Sequence, residues 1–175
     1  MDPKVLLTGR PGCGKTTLIK RVVNELSLPA GGFYTEEIRE RGQRVGFKII
    51  TLDGKEAVFA HVDFKSSERL GKYGLDLSVL ETVAVAALHA AVRARRLVVI
   101  DEIGPMEIRS AMFRRVVNEA LNSGAPVLAT IVARPLPFTD AIKSRSDVSI
   151  VEVRVKNRDK LVSELLNRFS SPNPR

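Results

Sequence analysis

The sequence predicts an α/β fold: a three-layer sandwich with a mainly parallel central sheet and an antiparallel hairpin inserted near its start. Three observations carry this. A short apolar strand, Val5-Leu6-Leu7, runs into a glycine-rich turn and then an amphipathic helix. Two continuous apolar runs, LVVID at 97–101 and VLATIV at 127–132, have the composition of parallel strands covered on both faces, and a helical stretch separates them. Between the first helix and the first of those runs, two segments of β-forming residues flank Arg41-Gly42-Gln43, and Asp53-Gly54 marks a second turn.

Each element has its own justification. In residues 16–27, Leu18, Ile19, Val22, Val23 and Leu26 recur at helical spacing and form a stripe suited to packing on a sheet. Leu28-Pro29-Ala30-Gly31-Gly32 is expected to end that helix. FYTEEIR (33–39) and RVGFKIITL (44–52) read as strands, with a third strand near Glu56 to His61. Residues 63–76 are polar, contain Gly71 and Gly74, and read as a loop. Leu77 to Ala94 is helical and apolar on most sides, so largely buried. Strand 97–101 is followed by a helix from Ile108 to Asn122, a break at Gly124-Ala125-Pro126, and the strand from Val127. ARPLPFTDA reads as a loop, with a short helical turn reaching Arg145. Val148 to Val155 is the last strand, and Arg158 to Phe169 closes the fold as a helix with Leu161, Leu165 and Phe169 on one face.

The 175 residues, 44% hydrophobic and 27% charged, suffice for one sizeable core and fall in the ordinary globular class. One domain over 1–169 is expected, with 170–175 as a disordered tail. Met1-Asp2-Pro3-Lys4 lacks the charged and then apolar pattern of a signal peptide. The most apolar long stretch, Thr82 to Val92, is about half of what a membrane helix needs, and His89 interrupts it. A cytoplasmic protein with no membrane association is expected, as a monomer. Cys13, the only cysteine, cannot form an internal disulfide. The net charge of +8 invites a nucleic-acid reading. Its scatter weighs against it: the one tight group, Arg93, Arg95 and Arg96, ends a helix, where cations offset the macrodipole.

The chemistry starts at Gly9-Arg10-Pro11-Gly12-Cys13-Gly14-Lys15-Thr16, which matches G-x-x-x-x-G-K-[ST] at every fixed position between a strand and a helix. This is a P-loop. The residue types answer to a triphosphate: backbone N–H groups and the positive end of the next helix converge on the phosphates, and glycines let the backbone approach. Gly9 to Thr17 are therefore the candidate nucleotide-binding residues, with Cys13 filling a free position. Lys15 reaches the β and γ phosphates, and the Thr16 hydroxyl is a ligand for Mg²⁺.

Asp101-Glu102 completes a Walker B pattern, four apolar residues and then Asp-Glu. Ligands bind off the carboxyl ends of parallel strands, so strand 97–101 delivers these acids near Gly9. Asp101 is the expected Mg²⁺ residue and Glu102 the one that orients attacking water. Thr130 reads either as a hydroxyl that senses the γ phosphate or as a plain buried strand residue. Arg134 and Arg145 are the arginines placed to reach transferring phosphate, or solvated surface residues. Glu107 is expected to cap or support the site, and His61 and His89 have no metal-ligand spacing.

The set GRPGCGKTTLIKR, GGFYTEEIRE, RVGFKIITLDG, GKYGLDL, VVIDEIGPMEI, LATI and KNRDKL, from Lys4 to about Leu166, resembles the small nucleoside-triphosphatases of thermophilic prokaryotes. In animals their relative is the cancer-related nucleoside-triphosphatase. The resemblance implies a P-loop NTPase of RecA/AAA-like type, in which an extra strand separates the P-loop and Walker B strands. It also implies Mg²⁺-dependent hydrolysis of ATP, GTP and other nucleoside triphosphates, with Asp101 as the Walker B acid and Glu102 as the catalytic glutamate. Pro105 departs from the lysine that relatives often carry, and the loop at 133–140 is individual to this chain. Two other readings stand beside hydrolysis. A nucleotide or nucleoside kinase shares the P-loop, although no separate acceptor-binding arginine cluster is visible. The other is a nucleotide-switched RNA-binding protein, suggested by the charge. No base-reading N-K-x-D element occurs, which fits a permissive site for ATP, GTP, CTP and UTP.

Overall fold

A computed structural model describes residues 2–170. Its core is one nine-stranded sheet in the order β5-β6-β4-β3-β2-β7-β8-β1-β9. The strands are β1 (Lys4–Thr8), β2 (Ala30–Glu40), β3 (Gln43–Thr51), β4 (Glu56–His61), β5 (Arg69–Leu70), β6 (Tyr73–Leu75), β7 (Leu97–Ile103), β8 (Val127–Ile131) and β9 (Ser149–Glu152). β2, β7, β8, β1 and β9 pair in parallel, while β2 to β6 pair antiparallel. The strand β8 lies between the P-loop strand β1 and the acid-bearing strand β7.

Alternation along the central strands sets which helices cover them. Val5 and Leu7, Leu97 and Val99, and Leu128 pack with α1 (Lys15–Glu25) and α6 (Arg158–Ser170). Leu6, Val98, Ile100, Val127 and Ala129 belong to the opposite core, with α3 (Ala86–Arg93) and α4 (Ala111–Asn122). A strand buried on both faces cannot alternate apolar with polar, which is why these runs are continuous. Helix α3 is preceded by α2 (Leu77–Val79) and by a π-helical stretch, Leu80–Val85, so the expected helix is present with an irregular middle. Asp76 caps its start by accepting from the Val79 N–H at 3.1 Å. Ser110 does the same for α4 through the Phe113 N–H and donates its own hydroxyl to Glu81 at 2.6 Å.

Four expectations need correction. Gly31 and Gly32 do not end the first helix; they lie inside β2, which starts at Ala30 and pairs with β7. Gly32 has φ 122°, and a Cβ there would run into the Val99 carbonyl, so the strand needs the glycine where a local reading sees a breaker. The hairpin is consequently no separate insertion: β2 belongs to the central sheet at one end and to the ribbon at the other. Residues 63–76 are not all loop, because Arg69–Leu70 and Tyr73–Leu75 pair as β5 and β6, and the buried Tyr73 and Leu75 anchor them in the core. The loop ARPLPFTDA already enters the helix α5 (Pro137–Lys143), with Pro137 in its first turn, where a missing N–H costs nothing. The tail expected at 170–175 lies outside the described residues except for Ser170, the last residue of α6. No described helix is long and apolar enough to cross a membrane.

Candidate active site

The P-loop leaves β1 and enters α1 through Gly14, whose left-handed φ of 99° turns the chain into the helix. A Cβ at Gly14 would meet the guanidinium of Arg158 at 2.6 Å, so the first residue of α6 closes over the loop. The Lys15 ammonium donates to the carbonyls of Gly9 at 3.0 Å and Arg10 at 3.1 Å. The residues Gly9, Arg10, Pro11, Gly12, Gly14, Lys15, Thr16 and Thr17 line a cleft of about 830 Å³. Cys13 does not. Its thiol is buried in the core beneath α1, and its N–H donates to the Arg10 carbonyl at 3.2 Å.

Strand parity brings the acids to the loop. On β7, Leu97 and Val99 face α1, and Asp101 continues that row; on β8, Leu128 faces α1 and Thr130 follows it. The β7–β8 register shifts between Ile100 and Ile103, and this irregularity contains Asp101 and Glu102. Asp101 is 3% exposed. One of its carboxylate oxygens accepts from the Thr16 hydroxyl at 2.6 Å, and the other accepts from the Thr130 hydroxyl at 2.7 Å. Thr16 and Asp101 thus bring oxygen donors from the P-loop and from Walker B into contact, a hard-donor pair that fits Mg²⁺.

Thr130 is fully buried, and its single hydroxyl hydrogen is directed at Asp101 rather than at the cleft. Thr130 is absent from the cleft wall and lies against Asp101. Glu102 lines the cleft beside Asp101, and the buried Glu107 lines it as well. Burial pushes the Asp101 carboxyl upward, against the hydrogen bonds of Thr16 and Thr130 and the charges of Lys15 and Lys20. Burial also raises Glu102, with the Asp101 charge adding to it and Lys15 opposing. Glu107 is raised well above the ordinary range by burial and then by Glu102, while the N–H groups of Glu107 and Gly104 work in the other direction. Three carboxyls therefore share one poorly hydrated corner. Nearby, Tyr34 is pushed up to about 12, first by burial and then by Asp101.

The two candidate arginines separate. Arg134 stands on the cleft wall with Val132 and Ala133. Arg145 is held at the other end of the sheet: its guanidinium donates to Asp147 at 2.8 and 2.9 Å, to Asn122 at 2.9 Å and to the Leu121 carbonyl at 3.1 Å. It cannot reach the P-loop from there. Sequence reasoning missed the cleft residues of the ribbon, Arg44, Phe47, Phe59 and Leu70, and the placement of Arg158 against Gly14. Nothing local marks them, because each reaches the site through the folding of a distant element.

Residues 4–166 match the sequence pattern of the NTPase family. The chain belongs to that family. Among its curated members, the nucleoside-triphosphatase THEP1 of Thermotoga petrophila is 50% identical over 163 residues, 93% of this chain and 90% of the relative. THEP1 of Methanocaldococcus jannaschii is 38% identical over 170 residues, covering 95% of this chain and 96% of the relative. The crystal structure of THEP1 from Aquifex aeolicus superposes with a TM-score of 0.88 at 35% identity, over 96% of this chain and 99% of that one. The solution structure of a human cancer-related nucleoside triphosphatase gives 0.82 at 34% identity, over 98% and 100%. The family resemblance read from the motifs is therefore borne out, and with it a P-loop NTPase fold on a sheet of mostly parallel core strands.

Proposed function

We propose that this protein hydrolyses nucleoside 5′-triphosphates to the diphosphate and phosphate, with Mg²⁺ and with little preference among ATP, GTP, CTP and UTP. The enzyme class, nucleoside-triphosphatase, comes with the family. The single observation that carries the mechanism is the contact of Thr16 and Asp101 at 2.6 Å, with Glu102 next to it in the same cleft. The extra strand β8 between β1 and β7 and helices on both sheet faces support a three-layer fold of the RecA/AAA-like type. One continuous sheet supports a single domain over 1–169. Beside this reading stands the expectation of a cytoplasmic monomer for which nucleic acid is not the favoured partner.

Each residue then has a task. The N–H groups of the loop and the positive end of α1 hold the phosphates, and Lys15 moves from the Gly9 and Arg10 carbonyls to the β and γ oxygens. Thr16 and Asp101 would hold Mg²⁺, which when bound neutralises charge developing on the β and γ phosphates. Thr130 fixes the Asp101 carboxylate. Glu102 orients a water and takes its proton as the water oxygen bonds to the γ phosphorus. The bond from that phosphorus to the bridging oxygen breaks, and the electron pair leaves on the diphosphate. A carboxyl raised above its ordinary range is a stronger base than a solvated one, so burial of Glu102 favours this role. Arg134, which lines the cleft, would offset charge on the transferring group.

The test is phosphate release from the four nucleotides with and without Mg²⁺, in the wild type and in Glu102→Gln. We expect release that requires Mg²⁺ and varies little with the base. Glu102→Gln should bind ATP as the wild type does yet lose turnover by about 10²-fold or more, the scale of a positioned base. Wild-type turnover in that variant would remove Glu102 from the mechanism.

A further inference from the structure

The cleft continues past the acids. Along the sheet, β1 carries the P-loop, β8 and β7 carry Thr130, Asp101 and Glu102, and β2, β3, β4 and the β5–β6 pair extend the row beyond them. From those outer strands Glu37, Arg44, Phe47, Phe59 and Leu70 line the same cleft, with Met106 from the segment after β7. A triphosphate in a P-loop lays its α and β phosphates on the loop amides and its γ phosphate by the lysine and the metal acid. The transferring end of the triphosphate would therefore face Asp101 and Glu102, and the outer arm of the cleft adjoins those two acids.

The walls of that arm have a definite chemistry. The Phe47 ring lies 5.3 Å from Tyr73 and 6.4 Å from Phe59. The Arg44 guanidinium sits 5.1 Å over the Phe47 ring, fixed by bonds to the Tyr73 hydroxyl at 3.0 Å and to Glu37 at 2.9 Å. Its Nη2 makes no hydrogen bond among the described residues. The arm thus offers the half-buried Phe47 ring, backed by Phe59 and Tyr73, and a donor held in place on Arg44 by Glu37, whose two carboxylate oxygens accept from Arg44 and Arg39. Such a set matches a planar heterocycle with polar edges better than it matches bulk water, which gains nothing from aromatic walls.

We propose that this arm is an acceptor subsite for a second molecule of the nucleoside class, and that the protein transfers the γ phosphoryl group to its hydroxyl as well as to water. The proposal rests on the hydrolase reading, because it uses the same P-loop and the same base. The acceptor oxygen forms the new bond to phosphorus, and the hydroxyl proton passes to the Glu102 carboxylate. The bond from phosphorus to the β–γ bridging oxygen breaks, and the diphosphate leaves with its electron pair. Glu102 is suited to both acceptors, since β7 stands between the P-loop side and the ribbon side of the sheet.

The experiment incubates the full chain with Mg²⁺, ATP labelled in the γ phosphate, and adenosine, guanosine, cytidine or uridine in turn. Thin-layer chromatography separates labelled inorganic phosphate from labelled nucleoside monophosphate. The expected result is labelled monophosphate with at least one nucleoside. Its ratio to inorganic phosphate should fall about tenfold or more in Phe47→Ala, the scale of one lost ring contact. Leu70→Arg repeats the test at a half-buried position on the short β5, where the larger side chain obstructs the arm without opening a cavity. Phosphate release with no labelled monophosphate from any of the four nucleosides overturns the acceptor subsite and leaves hydrolysis standing. A ratio that neither variant moves also overturns it. Absence of both products would defeat the hydrolase reading together with this one.

Discussion

Thr130 gives its one hydroxyl hydrogen to a carboxylate that is 3% exposed, and that bond is where sequence and structure differ most at the level of a residue. A threonine inside LATI reads equally as a sensor or as filler. Only the parallel pairing of β8 with β7 and β1, and the shared parity of 128, 130, 97, 99 and 101, show that it faces Asp101. The consequence is measurable. Thr130→Val keeps the shape but removes the donor, so Asp101 loses one of two bonds that offset its desolvation. The Mg²⁺ concentration for half-maximal phosphate release should rise on the order of 10-fold to 100-fold, the usual effect of losing a group that orients a metal ligand. Thr130→Ser, which keeps the donor, should stay close to the wild type. An unchanged Mg²⁺ curve in Thr130→Val would mean that Asp101 needs no such support. The P-loop and the acid pair were readable without a structure, because phosphate and metal chemistry demand those residue types at fixed local spacing. The partners of Asp101 and the exclusion of Arg145 were not, because both depend on where strands far apart in sequence return.

At the level of elements the same division holds, and β2 shows why. Its outer half, FYTEEIR, announces a strand by its own residues, and the Arg41-Gly42 turn that follows has the positive φ values of 48° and 80° that a tight hairpin uses. Its inner half, Ala30-Gly31-Gly32, looks like a stop. It is a strand because β7 lies on one side and α3 packs over it: a Cβ at Gly31 would meet that of Ala91 at 2.9 Å, and one at Gly32 would strike the Val99 carbonyl. Glycine is required by neighbours that the local sequence does not reveal. Gly32→Ala combines a left-handed backbone with a collision against β7, so it should destabilise the fold by about 2 kcal/mol or more. Urea unfolding followed by circular dichroism reads this directly, and a loss under about 0.5 kcal/mol would show that β2 can shift away from β7 at little cost. The short β5 and β6 escaped notice for a related reason: two or three residues give no periodicity, and the buried Tyr73 and Leu75 hold them in register.

For the molecule as a whole, the sheet has a reactive end and a structural end. The carboxyl ends of β1, β8 and β7 carry the site; the opposite end is tied by Asp147. Its carboxylate accepts from Lys4 at 2.9 Å, where Lys4 opens β1 and is only 8% exposed, and from Arg145, which in turn holds Asn122 at the end of α4. One anion therefore links β1, the approach to β9 and α4. Hydrogen bonds from Arg145 and then from Lys4 hold the Asp147 carboxyl far below the ordinary aspartate range. In the folded protein it stays ionised at a pH where the unfolded chain has taken up a proton. A depressed folded value contributes stability that is fully present above the unfolded value of about 4 and is lost as pH falls through the folded value. Protonation would also leave the buried Lys4 ammonium without its partner. Asp147→Asn should accordingly be less stable than the wild type at about pH 7. Between about pH 4 and the onset of acid unfolding, its stability should fall less steeply than that of the wild type. Urea midpoints across that interval separate the two proteins, and parallel curves would show that the cluster does not hold the far end of the sheet.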